Sequence, residues 1–110
     1  MDKADKVFWL YVAGIRYPNT DGSSRIEYVM KLNEEDELKL IRDPKNNFDQ
    51  YAIKVVYGGG LQIGWVPKDY SKIIAGYLDS NIKYSIPFFS KTIVRDTYWV
   101  NCEFKLIIHI

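Results

Sequence analysis

Arg42-Asp43-Pro44-Lys45-Asn46-Asn47-Phe48-Asp49-Gln50-Tyr51-Ala52-Ile53-Lys54-Val55-Val56 is the stretch on which the reading of this chain turns. It opens as the end of one strand, turns through Asp43-Pro44 and Asn46-Asn47, and re-enters alternation at Ala52, with Ile53, Val55 and Tyr57 on one face. Proline presets φ and asparagine tolerates left-handed geometry, so these residues account for the turn. They do not account for Phe48-Asp49, an aromatic and a carboxylate side by side between two strands. A plain connector needs neither, which marks the pair as a candidate site.

Outward from this turn, Leu38–Arg42 precedes it as a strand and Ala52–Tyr57 follows as the next. Gly58-Gly59-Gly60 then makes a tight connection into Leu61–Val66, a hairpin by its glycine content. Toward the N-terminus, Val7–Ala13 is β-branched and aromatic enough for a first strand, ended by Gly14. Pro18–Ser24 is a loop. Ile26–Leu32 alternates apolar and polar after Arg25 and is expected to be a half-buried strand, although Val29 breaks the pattern. Asn33–Glu37 is an acidic, solvated tip. Lys68–Asp79 is the one good helix, with Tyr70, Ile73, Ile74, Tyr77 and Leu78 on its apolar face. Pro67 suits its first turn, Asp69 complements its dipole, and Ser80-Asn81 ends it. Ile82–Phe89, Thr92–Arg95 and Tyr98–Ile110 read as further strands. Many short strands with one covering helix imply a mainly β fold closed into a small barrel, since closure removes exposed edges. The motifs then gather on loops at one rim.

A chain of 110 residues is the size of one domain. No apolar run approaches the roughly 20 residues that span a bilayer. The first six residues lack the apolar core of a signal peptide. The lone cysteine, Cys102, permits no internal disulfide and is expected as a small buried hydrophobe in a reducing compartment. With the lone His109 it makes neither a zinc site nor a catalytic pair, so no metal or cofactor is expected. The net charge of +1 excludes the strongly basic signature of a protein that grips duplex DNA by neutralising phosphates. It leaves room for an aromatic pocket with a few local cations, and nine Tyr, five Phe and three Trp supply the rings. Trp9, Tyr57 and Trp99 are expected to fill the core. The chain stops inside the apolar run Leu106–Ile110, which suggests a piece cut from a longer one. It contains no repeat and no low-complexity segment.

Three blocks in order carry a resemblance: Val12-Ala13-Gly14-Ile15-Arg16-Tyr17, then Leu40 to Val55, then Ile63-Gly64-Trp65-Val66-Pro67. Together they resemble the HIRAN domain family, whose blocks read approximately Gly-φ-Arg-Tyr, Arg-Glu/Asp-Pro-x-Asn-x-Tyr/Phe-Asp-x-x-Ala-Ile-x-Val and φ-Gly-x-φ-Pro before a helix. The likeness covers about residues 7–89 of a single domain spanning 1–110. It implies an OB- or SH3-like barrel of about six strands that binds single-stranded DNA with a free 3′ end. It also implies an accessory role beside a fused or partner helicase or nuclease domain, as in Swi/Snf-class ATPases that act in repair at stalled replication forks. The isolated format suggests a bacterial, cytoplasmic copy, associated with the nucleoid if it binds DNA.

The resemblance also assigns roles. Arg16 matches the family arginine and is expected on a backbone phosphate; Tyr17 beside it is expected to stack a terminal base. Phe48 stands where relatives more often have Tyr, so stacking survives and a hydroxyl is lost. Asp49 is expected to accept a hydrogen bond from the 3′ hydroxyl; its alternative is to cap the backbone of its own turn. Trp65 is a third stacking face or a packing residue, and Phe88 an apolar wall. Lys68 and Lys72 either carry the phosphates onward or are solvated helix lysines. The rival reading is a protein-interaction barrel of SH3 type that has lost DNA binding. An enzyme would need supporting groups near Asp49 or Glu27, which lie on different elements without a His or Cys. No residue identifies a 2′-hydroxyl contact, so DNA and RNA are not separated.

Overall fold

The computed structural model describes residues 4–94 and 99–110. Six strands and two helices follow in the order β1 (Lys6–Tyr11), α1 (Arg25–Lys31), β2 (Leu38–Arg42), β3 (Ile53–Tyr57), β4 (Leu61–Trp65), α2 (Lys68–Asp79), β5 (Tyr84–Val94) and β6 (Trp99–Ile108). The fold is mainly β, as expected. Among the described residues the strands form two antiparallel three-stranded sheets, β1-β6-β5 and β2-β3-β4, and no continuous ladder closes them into one barrel. Hydrogen bonds join them on both sides. Ala13 and Trp65 exchange backbone hydrogen bonds of 2.8 and 2.9 Å just beyond β1. On the far side the Tyr84 hydroxyl of β5 accepts from the Leu40 amide of β2 at 2.9 Å. A side chain thus spans a gap that a fully closed barrel would fill with backbone bonds.

The core lies between the sheets and under α2, where Phe104, Leu106, Ile108, Ile53, Ile63 and Ile74 are fully buried. In β6 every second residue from Val100 to Ile108 faces inward, the period-two signature of a half-covered sheet. Tyr57 is buried as expected, its hydroxyl donating to the Tyr28 carbonyl at 2.7 Å. Cys102 is buried too, and burial pushes its thiol pKa up to about 11. Trp9 and Trp99 are not core residues: they are 63% and 46% exposed on the outer face of β1-β6-β5. Both hold odd positions, opposite in parity to the even positions that β1 and β6 bury.

Helix α1 departs from expectation. Residues 26–32 are not a strand, because Ser24 caps a helix there, its side chain accepting from the Glu27 amide at 3.2 Å. Ser24-x-x-Glu27 is the capping-box pattern. Arg25, Val29 and Leu32 are buried at helical spacing, which explains why Val29 spoils a strand reading. At its C-terminus the Lys91 ammonium, from β5, donates to the carbonyls of Val29, Met30 and Leu32. A helix end leaves its last carbonyls short of partners; here the Val29 carbonyl also accepts from the Leu32 amide at 3.1 Å.

Helix α2 has the expected span, but its buried face is turned. Ser71, Ile74 and Ala75 are buried, Tyr77 and Leu78 half-buried, while Tyr70 and Ile73 are exposed. Pro67 occupies the cap position and its carbonyl accepts from the amides of Tyr70 and Ser71. The expected strands 82–89 and 92–95 are one strand, β5, bent by a bulge between Ser85 and Phe88 where Pro87 sits on the sheet edge. Arg95 and Tyr98 lie outside the described residues.

Candidate functional site

The loop between β2 and β3 is built by its own side chains. Asn46 Oδ1 accepts from the amides of Phe48 and Asp49 at 2.9 and 3.1 Å, and Asn46 Nδ2 donates to Asp43 at 3.2 Å. Asp49 Oδ1 accepts from the Tyr51 amide at 2.8 Å, and Asp49 Oδ2 from the Ser71 hydroxyl of α2 at 2.9 Å. Arg42 closes the base, donating to the carbonyls of Ala52 and Gln50 and to both carboxylate oxygens of Asp79. Asp49 therefore has the turn-capping role that its local chemistry allows, and it anchors the first turn of α2 as well. Phe48 is the residue this scaffold does not use: 92% of it is exposed. A rigid turn holds one aromatic out into solvent.

A second loop follows the Ala13–Trp65 bridge. Gly14 has a φ of +76°, and a side chain there would press on Arg25 and on the Trp65 ring. Arg25 is buried and braces this loop at both ends, donating to the Gly14 carbonyl at 2.9 Å and to Asn19 Oδ1 at 2.7 Å. Burial lowers its pKa from the usual arginine value. Between these fixed points Tyr17 is 71% exposed. The Arg16 guanidinium lies 3.2 Å above the centre of the Trp99 ring. A guanidinium stacked on a ring face keeps its N–H groups in plane and available to an anion.

Trp65 ties the two loops together. It ends β4, pairs with Lys54 of β3 on one side and bridges Ala13 on the other, and Arg25 lies 5.8 Å from its half-buried ring. Gly64 before it is required by the crossing chain: a Cβ would fall 2.4 Å from the Ala13 carbonyl oxygen and 2.5 Å from Val12 Cγ1. Two residues later Pro67 leads into α2. So the Arg16-Tyr17 loop starts beside the end of β4 at the Ala13–Trp65 bridge, and the Phe48-Asp49 loop is tied to the helix that follows β4 through Ser71. Tyr17, Phe48 and Trp65 do not stack on one another among the described residues.

Lys68 and Lys72 are exposed on α2, and Lys72 Nζ lies 5.7 Å from the Tyr51 ring of the Phe48 loop. Phe88 lies elsewhere. It meets Trp9 edge to face on the outer sheet, and with Ile86, Pro87 and the acidic tip Glu34–Glu37 it lines a cavity of about 590 Å³. The single histidine is also remote from both loops. His109 Nε2 lies 2.8 Å from Ser85 Oγ and Nδ1 lies 3.4 Å from Asp5, fastening the opposite end of the β1-β6-β5 sheet. No group of three or more metal-ligating side chains occurs among the described residues, and no helix there is long and apolar enough to cross a membrane.

Three contributors escaped the sequence reading. Strand parity sets Trp99 on the same sheet face as Trp9 but says nothing of the Arg16 that rests on it. Arg25 reaches Asn19 and Ser71 reaches Asp49, six and 22 positions away, contacts that leave no local signal.

The HIRAN domain family model matches residues 6–110. Among solved structures the chain is similar to a protein from Lactobacillus plantarum, at TM-score 0.66 and 16% identity over 96% of this chain and 100% of that one. It is also similar to the HIRAN domain of human HLTF, at TM-score 0.62 and 23% identity over 93% of this chain and 74% of that one. No curated protein sequence matches. The structural likenesses, at such identities, speak for the fold; the family match spans nearly the whole chain. The chain therefore belongs to the HIRAN domain family, a family known for DNA binding.

Proposed function

We propose that this chain is a single-stranded DNA-binding accessory module that receives a free 3′ end between its two rim loops. Tyr17 and Phe48 stack terminal bases, Arg16 takes a phosphate while resting on Trp99, and Trp65 closes the floor. Asp49 accepts from the 3′ hydroxyl. Each of its oxygens has one protein donor, which leaves lone-pair capacity for a further one. Lys68 and Lys72 continue the phosphate track. Phe88, beside an acidic tip, is left out of the contact set.

The observation that carries this reading is the 92% exposure of Phe48 on a turn whose polar side chains are committed to holding it still. An aromatic presented this way loses little entropy on stacking a base, and each stack is worth about 1–3 kcal/mol. Two stacks with one or two phosphate contacts give affinity in the micromolar range, about −8 kcal/mol, once strand ordering is counted. Few phosphate contacts give a shallow salt dependence. Such modest affinity suits a module that presents a DNA end to a helicase or nuclease domain, fused or separate, in fork repair.

The test is fluorescence anisotropy with a short labelled strand ending in a 3′ hydroxyl, against the same strand ending in a 3′ phosphate. Micromolar binding that the phosphate abolishes supports end recognition. Equal binding to both reduces the reading to general single-strand binding. Binding to neither, by folded protein, transfers the rim to a peptide partner.

A further inference from the structure

The outer face of the β1-β6-β5 sheet carries three half-exposed aromatics that neither the core nor the rim loops employ. Trp9 and Phe88 flank Lys105 in one cross-strand row; Tyr11 and Ser90 flank Glu103 in the next. Trp9, Tyr11 and Phe88 are 63%, 57% and 51% exposed. Trp9 and Phe88 meet edge to face at 6.2 Å, and Lys105 Nζ lies 5.5 Å from the Trp9 ring. A fully buried aromatic removes roughly 150–250 Å² from water, so the open halves of these three amount to on the order of 300 Å². That is already the size of the largest apolar patch on an ordinary monomer.

The charges select the occupant. One lysine and one glutamate on the central strand leave these two rows neutral, the wrong balance for a phosphate backbone. They match a surface bearing the same two charges in reverse order, which is what a second copy presents. A two-fold axis lying between two such faces, perpendicular to the strands at the level of Phe104, sets the Trp9–Lys105–Phe88 row of one copy over the Tyr11–Glu103–Ser90 row of the other. Lys105 then faces the partner subunit's Glu103, Trp9 faces the partner subunit's Tyr11, and symmetry makes each pair twice.

We infer that this chain forms an isologous dimer through the outer face of β1-β6-β5, its sheets stacked about 10 Å apart. The inference does not rest on DNA binding at the rim, although the far end of this face carries Trp99, on which Arg16 lies. Three strands by about ten residues give a footprint of roughly 15 by 30 Å, at the small end of specific interfaces, so the dimer is weak and concentration-dependent.

Sedimentation equilibrium of the whole chain over a wide concentration series tests this. The wild type is expected to dimerise. Lys105→Glu and Glu103→Lys, each placing like charges opposite, weaken the dimer by on the order of a hundredfold, and the double variant restores it to within several-fold. Circular dichroism and an unfolding midpoint verify that each variant is folded, as expected for outward-facing positions, Glu103 exposed and Lys105 half-buried. A wild type that stays monomeric, a single variant that dimerises as well as wild type, or a folded double variant that remains monomeric overturns the inference.

Discussion

The Ser71 hydroxyl donates to Asp49 across 2.9 Å, and the same hydroxyl also reaches the Lys68 carbonyl at 3.1 Å. One buried serine therefore fixes the carboxylate of the β2–β3 turn relative to the first turn of α2. Any account of Asp49 as a ligand group has to separate what it does for DNA from what it does for the turn.

Asp49→Ala and Ser71→Ala separate the two. Both are expected to destabilise the fold by about 1–3 kcal/mol, since each strands a partner at a part-buried position. Only Asp49→Ala is expected to erase the preference for a 3′ hydroxyl over a 3′ phosphate. Urea unfolding paired with anisotropy on both strands checks this. If Ser71→Ala also erases the preference, discrimination belongs to the turn's geometry and not to the carboxylate.

Tyr17→Ala and Phe48→Ala are each expected to lose about 1–3 kcal/mol of binding, one stack apiece. Their unfolding midpoints stay near wild type, because both rings are outside the packed interior. Trp99→Ala releases Arg16 from its platform and is expected to weaken both strands alike by about 0.5–1 kcal/mol. Titrations with the two labelled strands read all three. Unchanged affinity in any of them removes that residue from the interface.

Gly64→Ala is expected to be the most damaging small substitution, above about 3 kcal/mol. The added methyl would meet the Ala13 carbonyl, a backbone atom that cannot rotate away. Gly59→Ala, with open space around it, is the control. Chemical denaturation of both decides the point, and similar midpoints would show that the Ala13 crossing yields easily.

Stability should fall at alkaline pH in a manner traceable to Cys102. Its folded pKa is raised from 9.0 to about 11 by burial. Between these values the unfolded chain has lost the thiol proton and the folded chain keeps it. The folded state then binds more protons, and raising the pH favours unfolding. The contribution is fully present below pH 9 and lost as pH passes through about 11. Comparing unfolding midpoints of wild type and Cys102→Ala from pH 8 upward isolates it from the tyrosines and lysines. Parallel curves would exclude the thiol.

How much of this was written locally varies by element. The span of α2 could be read because a twelve-residue amphipathic run after Pro67 leaves few alternatives. Its rotation could not, since whether Ser71 or Tyr70 faces inward depends on Asp49, in another loop. Helix α1 is only seven residues long, and four apolar side chains in it mimic alternation; the capping serine was the better guide, and Lys91 supplies the other end from 59 residues or more away. Strand parity places Trp9 and Trp99 on one side of a sheet but does not tell which side is covered. At the site the two loops were legible as loops, because Pro, Asn and Gly announce them. Arg16 on Trp99 was not, because that contact spans 83 positions (99 − 16).

The Ala13–Trp65 exchange has a consequence for how binding and folding are coupled. Among the described residues it is the backbone seam between the sheets; the Arg16-Tyr17 loop starts on its Ala13 side, and on its Trp65 side the chain runs on into α2, whose Ser71 holds Asp49. A fluctuation that parts the seam moves Tyr17 away from Trp65 and exposes two amide protons in the same event. An end held across it resists the parting, and its affinity is the measure of that resistance. The Ala13 and Trp65 amides are accordingly a built-in strain gauge: their exchange with solvent reports, without any label, how firmly the jaws are shut.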